Sequence, residues 1–178
     1  LPDLHDGTLE DWEEIFSRTS LDCHDFLSIY GEGVDPGDLA YRVYLAWHSA
    51  TQRLYVAIER VDNVYINSYE GGNLSSLWLY DSIEFMVDSD HSGGDYNGLF
   101  ADPEGSEELK LFINAQAQQY RAIAVSPDDR TLTYMGAGQD WVTLPPYAEA
   151  GGFQRGESPN LSGVEFYVTP WDRLDWRG

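Results

Sequence analysis

The feature that most constrains this chain is a two-residue alternation of apolar and polar side chains that recurs along its length. Tyr41, Val43, Leu45 and Trp47 alternate with Arg42, Tyr44 and Ala46. After a polar turn from His48 to Arg53, Leu54, Val56 and Ile58 alternate with Tyr55, Ala57 and Glu59. Successive side chains of a strand point to opposite faces, so such runs read as half-buried strands, and two of them joined by a short polar link predict an antiparallel hairpin. The stretch 77–88 repeats the pattern. Ile83, Phe85 and Val87 supply its apolar face, while Trp78, Tyr80, Ser82, Glu84 and Met86 share the other.

Further strands are expected at 108–115, 119–125 and 164–168, with a short edge strand at 131–135. Residues 1–38 read as a mixed lead-in with a short helix over 9–16, and 136–160 as loop. With 178 residues, 14% aromatics, 17 Gly and 8 Pro, the pattern predicts a single all-β domain. Its expected architecture is an antiparallel β-sandwich of jelly-roll or immunoglobulin-like type. Because the sequence stops at Gly178 soon after the last strand, the sandwich is expected to lack its final strands and to offer an open edge to neighbouring domains or other copies of the chain.

Charge narrows the partners. With 31 acidic and 10 basic residues the formal net charge is −21, so the positive stripe that nucleic acid or an anionic membrane requires is missing. Lys110 is the one lysine. A surface of this kind suits high ionic strength or bound divalent cations. Cys23, the only cysteine, excludes a disulfide framework within the chain and a Cys-based metal or haem-attachment motif. No run approaches the roughly 20 apolar residues of a membrane span. Asn73-Leu-Ser and Asn160-Leu-Ser are glycosylation-type triplets.

Two clusters carry chemistry. On the polar face of 77–88, Trp78 and Tyr80 form an aromatic platform beside Glu84, and the next expected strand adds Phe112, Asn114 and Gln116. Sugars stack their C–H faces on such rings while carboxylates and amides bind their hydroxyls, at about 1 kcal/mol per net hydrogen bond. The following loop, Asp88-x-Asp90-x-Ser92-Gly-Gly-Asp95, repeats the first half of an EF-hand loop, with oxygen ligands at alternate positions and then Gly. All-oxygen ligands predict calcium in a structural role, with Asp102, Glu104 or Asp81 completing the shell. Asp81 and Glu84 differ in parity and cannot flank one glycosidic bond, and Glu59 could join Glu84 only from a neighbouring strand. No nucleophile-elbow, zincin or phosphate-loop signature occurs, so no catalysis is expected.

The order of these pieces resembles the family 9 carbohydrate-binding modules and the wider DOMON-like group of β-sandwich domains. The resemblance rests on Asp6-Gly-Thr-Leu-Glu-Asp-Trp12, Arg42-Val-Tyr-Leu-Ala-Trp47, Leu54-Tyr-Val-Ala-Ile-Glu59, Trp78-x-x-Asp81-Ser-x-Glu84-Phe, Leu111-Phe-Ile-Asn114 and Val164-Glu-Phe-Tyr-Val168. It implies a sugar held between two Trp rings by a Glu and an Asn, matched here by Trp78, Glu84 and Asn114. Phe112 stands where the family has Arg, and the family's second Trp has no match before Gly178. The resemblance implies a non-catalytic carbohydrate-binding module, extracellular or at the cell surface. The alternative is a structural or adhesive surface or filament domain that keeps the sandwich without the sugar site. A third reading, a haem-binding electron-transfer domain, follows from DOMON-like relatives that hold haem between Met and His; Met86, Met135, His48 and His91 are the residues available.

Overall fold

The computed structural model describes residues 1–16, 20–26, 35–72, 74–89, 118–135 and 140–171. Its elements are helix α1 (Glu10–Phe16) and strands β1 (Ser20–Asp22), β2 (Leu39–His48), β3 (Arg53–Asp62), β4 (Ser82–Val87), β5 (Gln118–Ile123), β6 (Leu132–Tyr134), β7 (Ala148–Arg155) and β8 (Asn160–Val168). Two 3-10 turns, Leu74–Leu79 and Asp140–Thr143, join them. All pairings are antiparallel. Among the described residues they build a five-stranded sheet in the order β1-β2-β3-β8-β7 and a three-stranded sheet in the order β4-β5-β6. The fold is an all-β sandwich, as the alternation predicts.

The core between the sheets follows from strand parity. Val56 of β3, Val164, Phe166 and Val168 of β8 and Ala148 of β7 meet Tyr120 and Ala122 of β5 and Leu132 and Tyr134 of β6, with Ile83 and Phe85 of β4 packed against them. The Phe85 and Phe166 rings make an edge contact across the two layers at 5.6 Å.

The five-stranded sheet also buries its outer face. Leu4, Leu9 and Trp12 lie on Tyr44, Tyr55, Ala57, Phe153 and Tyr167, and Trp12 is fully buried. Asp6 opens this lead-in by accepting the Thr8 N–H at 2.8 Å, just before α1. A sheet covered on both faces explains why Tyr55, Val56 and Ala57 are buried in succession.

This second layer reverses one expectation. Tyr44, read as the polar side of the hairpin, is buried. Leu45 and Trp47, read as core, are 39% and 51% exposed. Leu45 is paired with Val56 and so faces the inner side, but the three-stranded sheet does not cover this part of β2.

Two boundaries also differ from the sequence reading. Residues 77–81 are not strand: the 3-10 turn occupies Leu74–Leu79 and β4 begins at Ser82. Within the expected loop 136–160 lies β7, paired with β8 along its whole length. The expected strand 108–115 lies outside the described residues, and β5 corresponds to the run expected at 119–125.

Candidate functional site

Three strands set the outward face of the smaller sheet. Antiparallel register puts Glu84 of β4 opposite Arg121 of β5, Met86 opposite Gln119, and Arg121 opposite Thr133 of β6. These residues share parity and point away from the core that Phe85 and Tyr120 enter.

Glu84 Oε1 collects three donors. Arg121 reaches it through Nε and Nη2, each at 2.8 Å, and Gln119 donates through Nε2. Glu84 Oε2 accepts no hydrogen bond among the described residues. Gln119 is almost wholly buried, and its Oε1 has no donor among the described residues. The guanidinium side chain is 11% exposed and the carboxylate side chain 40%, so the cluster opens on the Glu84 side. A cation, a carboxylate and an amide in this arrangement can donate to and accept from a polar ligand.

Trp78 stands in the 3-10 turn that packs against β4. Its side chain is 64% exposed, which leaves a large π surface in water. Tyr80 follows a different course, because the turn breaks the period-two alternation. Its ring joins Tyr69, Leu77 and Ile123 in a small cluster, 6.4 Å from the Tyr69 ring. Of the expected platform, Trp78 is therefore the exposed ring and Tyr80 the packed one.

Asp81, the residue just before β4, accepts the Ile66 N–H and lies 3.4 Å from Arg60 of β3. It ties the smaller sheet to the larger one, and its partners are not those of Glu84. Glu59 belongs to the five-stranded sheet, so it does not lie on a strand beside Glu84.

Asp88 directly follows β4 and is half-buried. Asp90, Ser92 and Asp95 of the expected calcium loop, and Phe112, Asn114 and Gln116 of the expected ligand face, lie outside the described residues.

For the haem reading, Met86 is 47% exposed on the smaller sheet. His48 ends β2 in the other sheet, where Nδ1 bonds Thr51 Oγ1 at 2.8 Å. His91 lies outside the described residues. Asn160 is fully buried and donates to the Gly156 carbonyl, so its triplet is not open to modification in the folded chain.

Sequence reasoning missed Gln119 and Arg121. Their signal was available: Gln119, Arg121 and Ile123 alternate with Tyr120, Ala122 and Ala124, and both sets end up buried except for the polar rim. It also missed a cluster on the other sheet, where Asp22, Cys23 and His24 bring one ligand atom each within 4.8 Å of one another.

No protein-family model matches this sequence, and no curated protein is detectably similar to it.

Proposed function

We propose that this domain is a non-catalytic carbohydrate-binding module of a secreted or cell-surface protein. A saccharide ring stacks on Trp78, and its hydroxyls are read by Glu84, with Gln119 and Arg121 holding that carboxylate. Calcium, bound through Asp88, Asp90, Ser92 and Asp95, stabilises the domain. The observation that carries this reading is a largely exposed indole in a turn packed against β4, the strand whose outward carboxylate is fixed on one oxygen and open on the other. Fixing Glu84 in advance removes side-chain entropy that a ligand would otherwise lose on binding.

Calorimetric titration with mono- and oligosaccharides tests it. Trp78→Ala is expected to weaken binding by at least tenfold, or about 1.4 kcal/mol. Equal affinity in the variant, or no heat with any saccharide, removes the sugar site. Calcium is tested separately: a chelator should lower the melting temperature by mass action, and an unchanged melt rules out a structural ion.

A second reading has its own observation. Leu45 and Trp47 expose apolar surface on the inner side of β2, as a structural or adhesive domain that docks to a neighbour would. Concentration-dependent self-association lost in Trp47→Ser, without saccharide binding, favours it.

A further inference from the structure

Beyond the sugar and calcium readings, and independent of both, we infer that Asp22, Cys23 and His24 form a binding site for a divalent transition metal of the zinc class. The carboxylate, thiol and imidazole each turn one ligand atom toward the others, all within 4.8 Å. Around a tetrahedral zinc, bond lengths of about 2.0–2.3 Å put neighbouring donors roughly 3.3–3.8 Å apart. The three groups thus need only small rotations to close on an ion.

The backbone beneath them is already set. β1 pairs with β2 so that Asp22 sits opposite Arg42, and the chain then turns. The Asp25 N–H bonds the Asp22 carbonyl at 2.9 Å, and the Asp25 carboxylate accepts the Asp22 N–H at 2.9 Å. Asp22 Oδ1 takes the His24 N–H at 2.8 Å, which leaves Oδ2 for a metal. Phe26 rests its ring on Tyr41 at 5.3 Å and fixes the far end of the turn.

The cluster opens onto a cleft of about 230 Å³, lined also by Tyr41, Arg42 and Glu59. Three protein ligands facing a cleft leave the fourth position for water or for Glu59, the arrangement of an open rather than a closed zinc site. Arg42 opposes a cation here, but its guanidinium is drawn 2.6 Å from Glu13 and neutralised there. A mixed N, O and S donor set selects zinc-class metals over calcium or magnesium. On binding, the Cys23 thiol gives its proton to solvent and the thiolate sulfur bonds the metal; no electron is transferred.

Cobalt(II) titration of the reduced protein is the test, because a thiolate bound to cobalt adds a near-ultraviolet charge-transfer band that oxygen ligands cannot produce. One equivalent of cobalt should develop the band, and zinc should displace it. Cys23→Ser should abolish it, while His24→Ala and Asp22→Asn should each weaken cobalt binding by roughly tenfold or more. Asp88→Asn should leave it unchanged, which separates this site from the calcium loop. Asp22 and His24 are exposed and Cys23 is half-buried at the end of β1 and the turn after it, and circular dichroism verifies that the variants fold. The inference is overturned if the wild type shows no band, or if the band keeps its affinity without His24 and Asp22, which would mark a lone thiol.

Discussion

At the scale of the residue, Glu165 is the least expected group. It lies on the outer face of β8, is fully buried, and its Oε2 accepts the Trp12 indole N–H at 2.7 Å. Its Oε1 is buried without a donor among the described residues. Burial is the largest influence on its titration; the Trp12 bond opposes it, and the carboxylates of Asp6, Asp11 and Asp3 reinforce it. Together they raise the pKa to about 8. An unfolded Glu titrates near about 4.3. Between those values the folded chain keeps a proton that the unfolded chain has lost. The stabilisation is therefore complete below about pH 4.3, declines as pH rises, and is lost above about pH 8, the reverse of a salt-bridged carboxylate. The slope reaches at most about 1.4 kcal/mol per pH unit. In urea unfolding followed by tryptophan fluorescence between about pH 5 and pH 9, Glu165→Gln should flatten this decline and be more stable than the wild type at the alkaline end. Parallel curves for the two proteins would mean that Glu165 is ionised throughout. The sequence offered this residue only as one polar position in the alternation of Val164 to Val168. Nothing local reveals that Trp12, 153 residues away in the chain, closes over it.

The elements were legible where alternation was long and unlegible where packing replaced it. The pairing of β2 with β3 and the core face of β4 could be read directly, because long alternating runs joined by a short polar turn have few other solutions, although which side of β2 is covered could not. Strand β7 could not: Ala148-Glu-Ala-Gly-Gly-Phe-Gln-Arg155 carries little β-propensity. Its glycines are required by neighbours on both faces. A Cβ on Gly151 would stand 1.7 Å from the Leu4 carbonyl oxygen, and one on Gly152 would stand 2.3 Å from the Ala124 carbonyl oxygen. The strand is thus a spacer pressed between the lead-in and the smaller sheet. Alanine at either site should cost roughly 3 kcal/mol or more, since backbone and not a flexible side chain must yield. The two should also differ in kind. Gly151→Ala should lift the lead-in and shift Trp12 emission to the red, whereas Gly152→Ala should part the sheets and leave Trp12 covered. Denaturant melts with emission spectra check both; melts matching the wild type would deny the close approach. The same logic explains the site. Trp78 and Glu84 were legible as residue types, but the 3-10 turn that separates Trp78 from Tyr80 depends on Leu77 burying itself against Ile123, a contact that no local pattern announces.

At the scale of the whole molecule, charge competes with burial. The net charge of −21 is carried by a sandwich whose arginine–carboxylate pairs include Arg42 with Glu13, Arg60 with Asp81, Arg121 with Glu84 and Arg130 with Asp128, most of them partly exposed. Such pairs contribute about 0–1 kcal/mol each, and salt weakens them. Repulsion among the surplus carboxylates destabilises the compact state as well, and salt weakens that too. The surplus outnumbers the pairs, so screening should help more than it harms. At about 0.01 M salt the Debye length is about 30 Å and the whole domain feels its own charge; at about 1 M it is about 3 Å and only contacts remain. With chelator present throughout, so that no divalent ion contributes, the melting temperature should rise steadily as potassium chloride increases over that range. A fall would mean that the paired arginines outweigh the repulsion. Adding millimolar calcium at fixed ionic strength then separates the two roles a cation can play. General screening is already saturated by about 1 M monovalent salt, so any further rise belongs to specific binding. If that rise disappears in Asp88→Asn, it comes from the acidic segment after β4; if it persists, the ion sits elsewhere on the acidic surface.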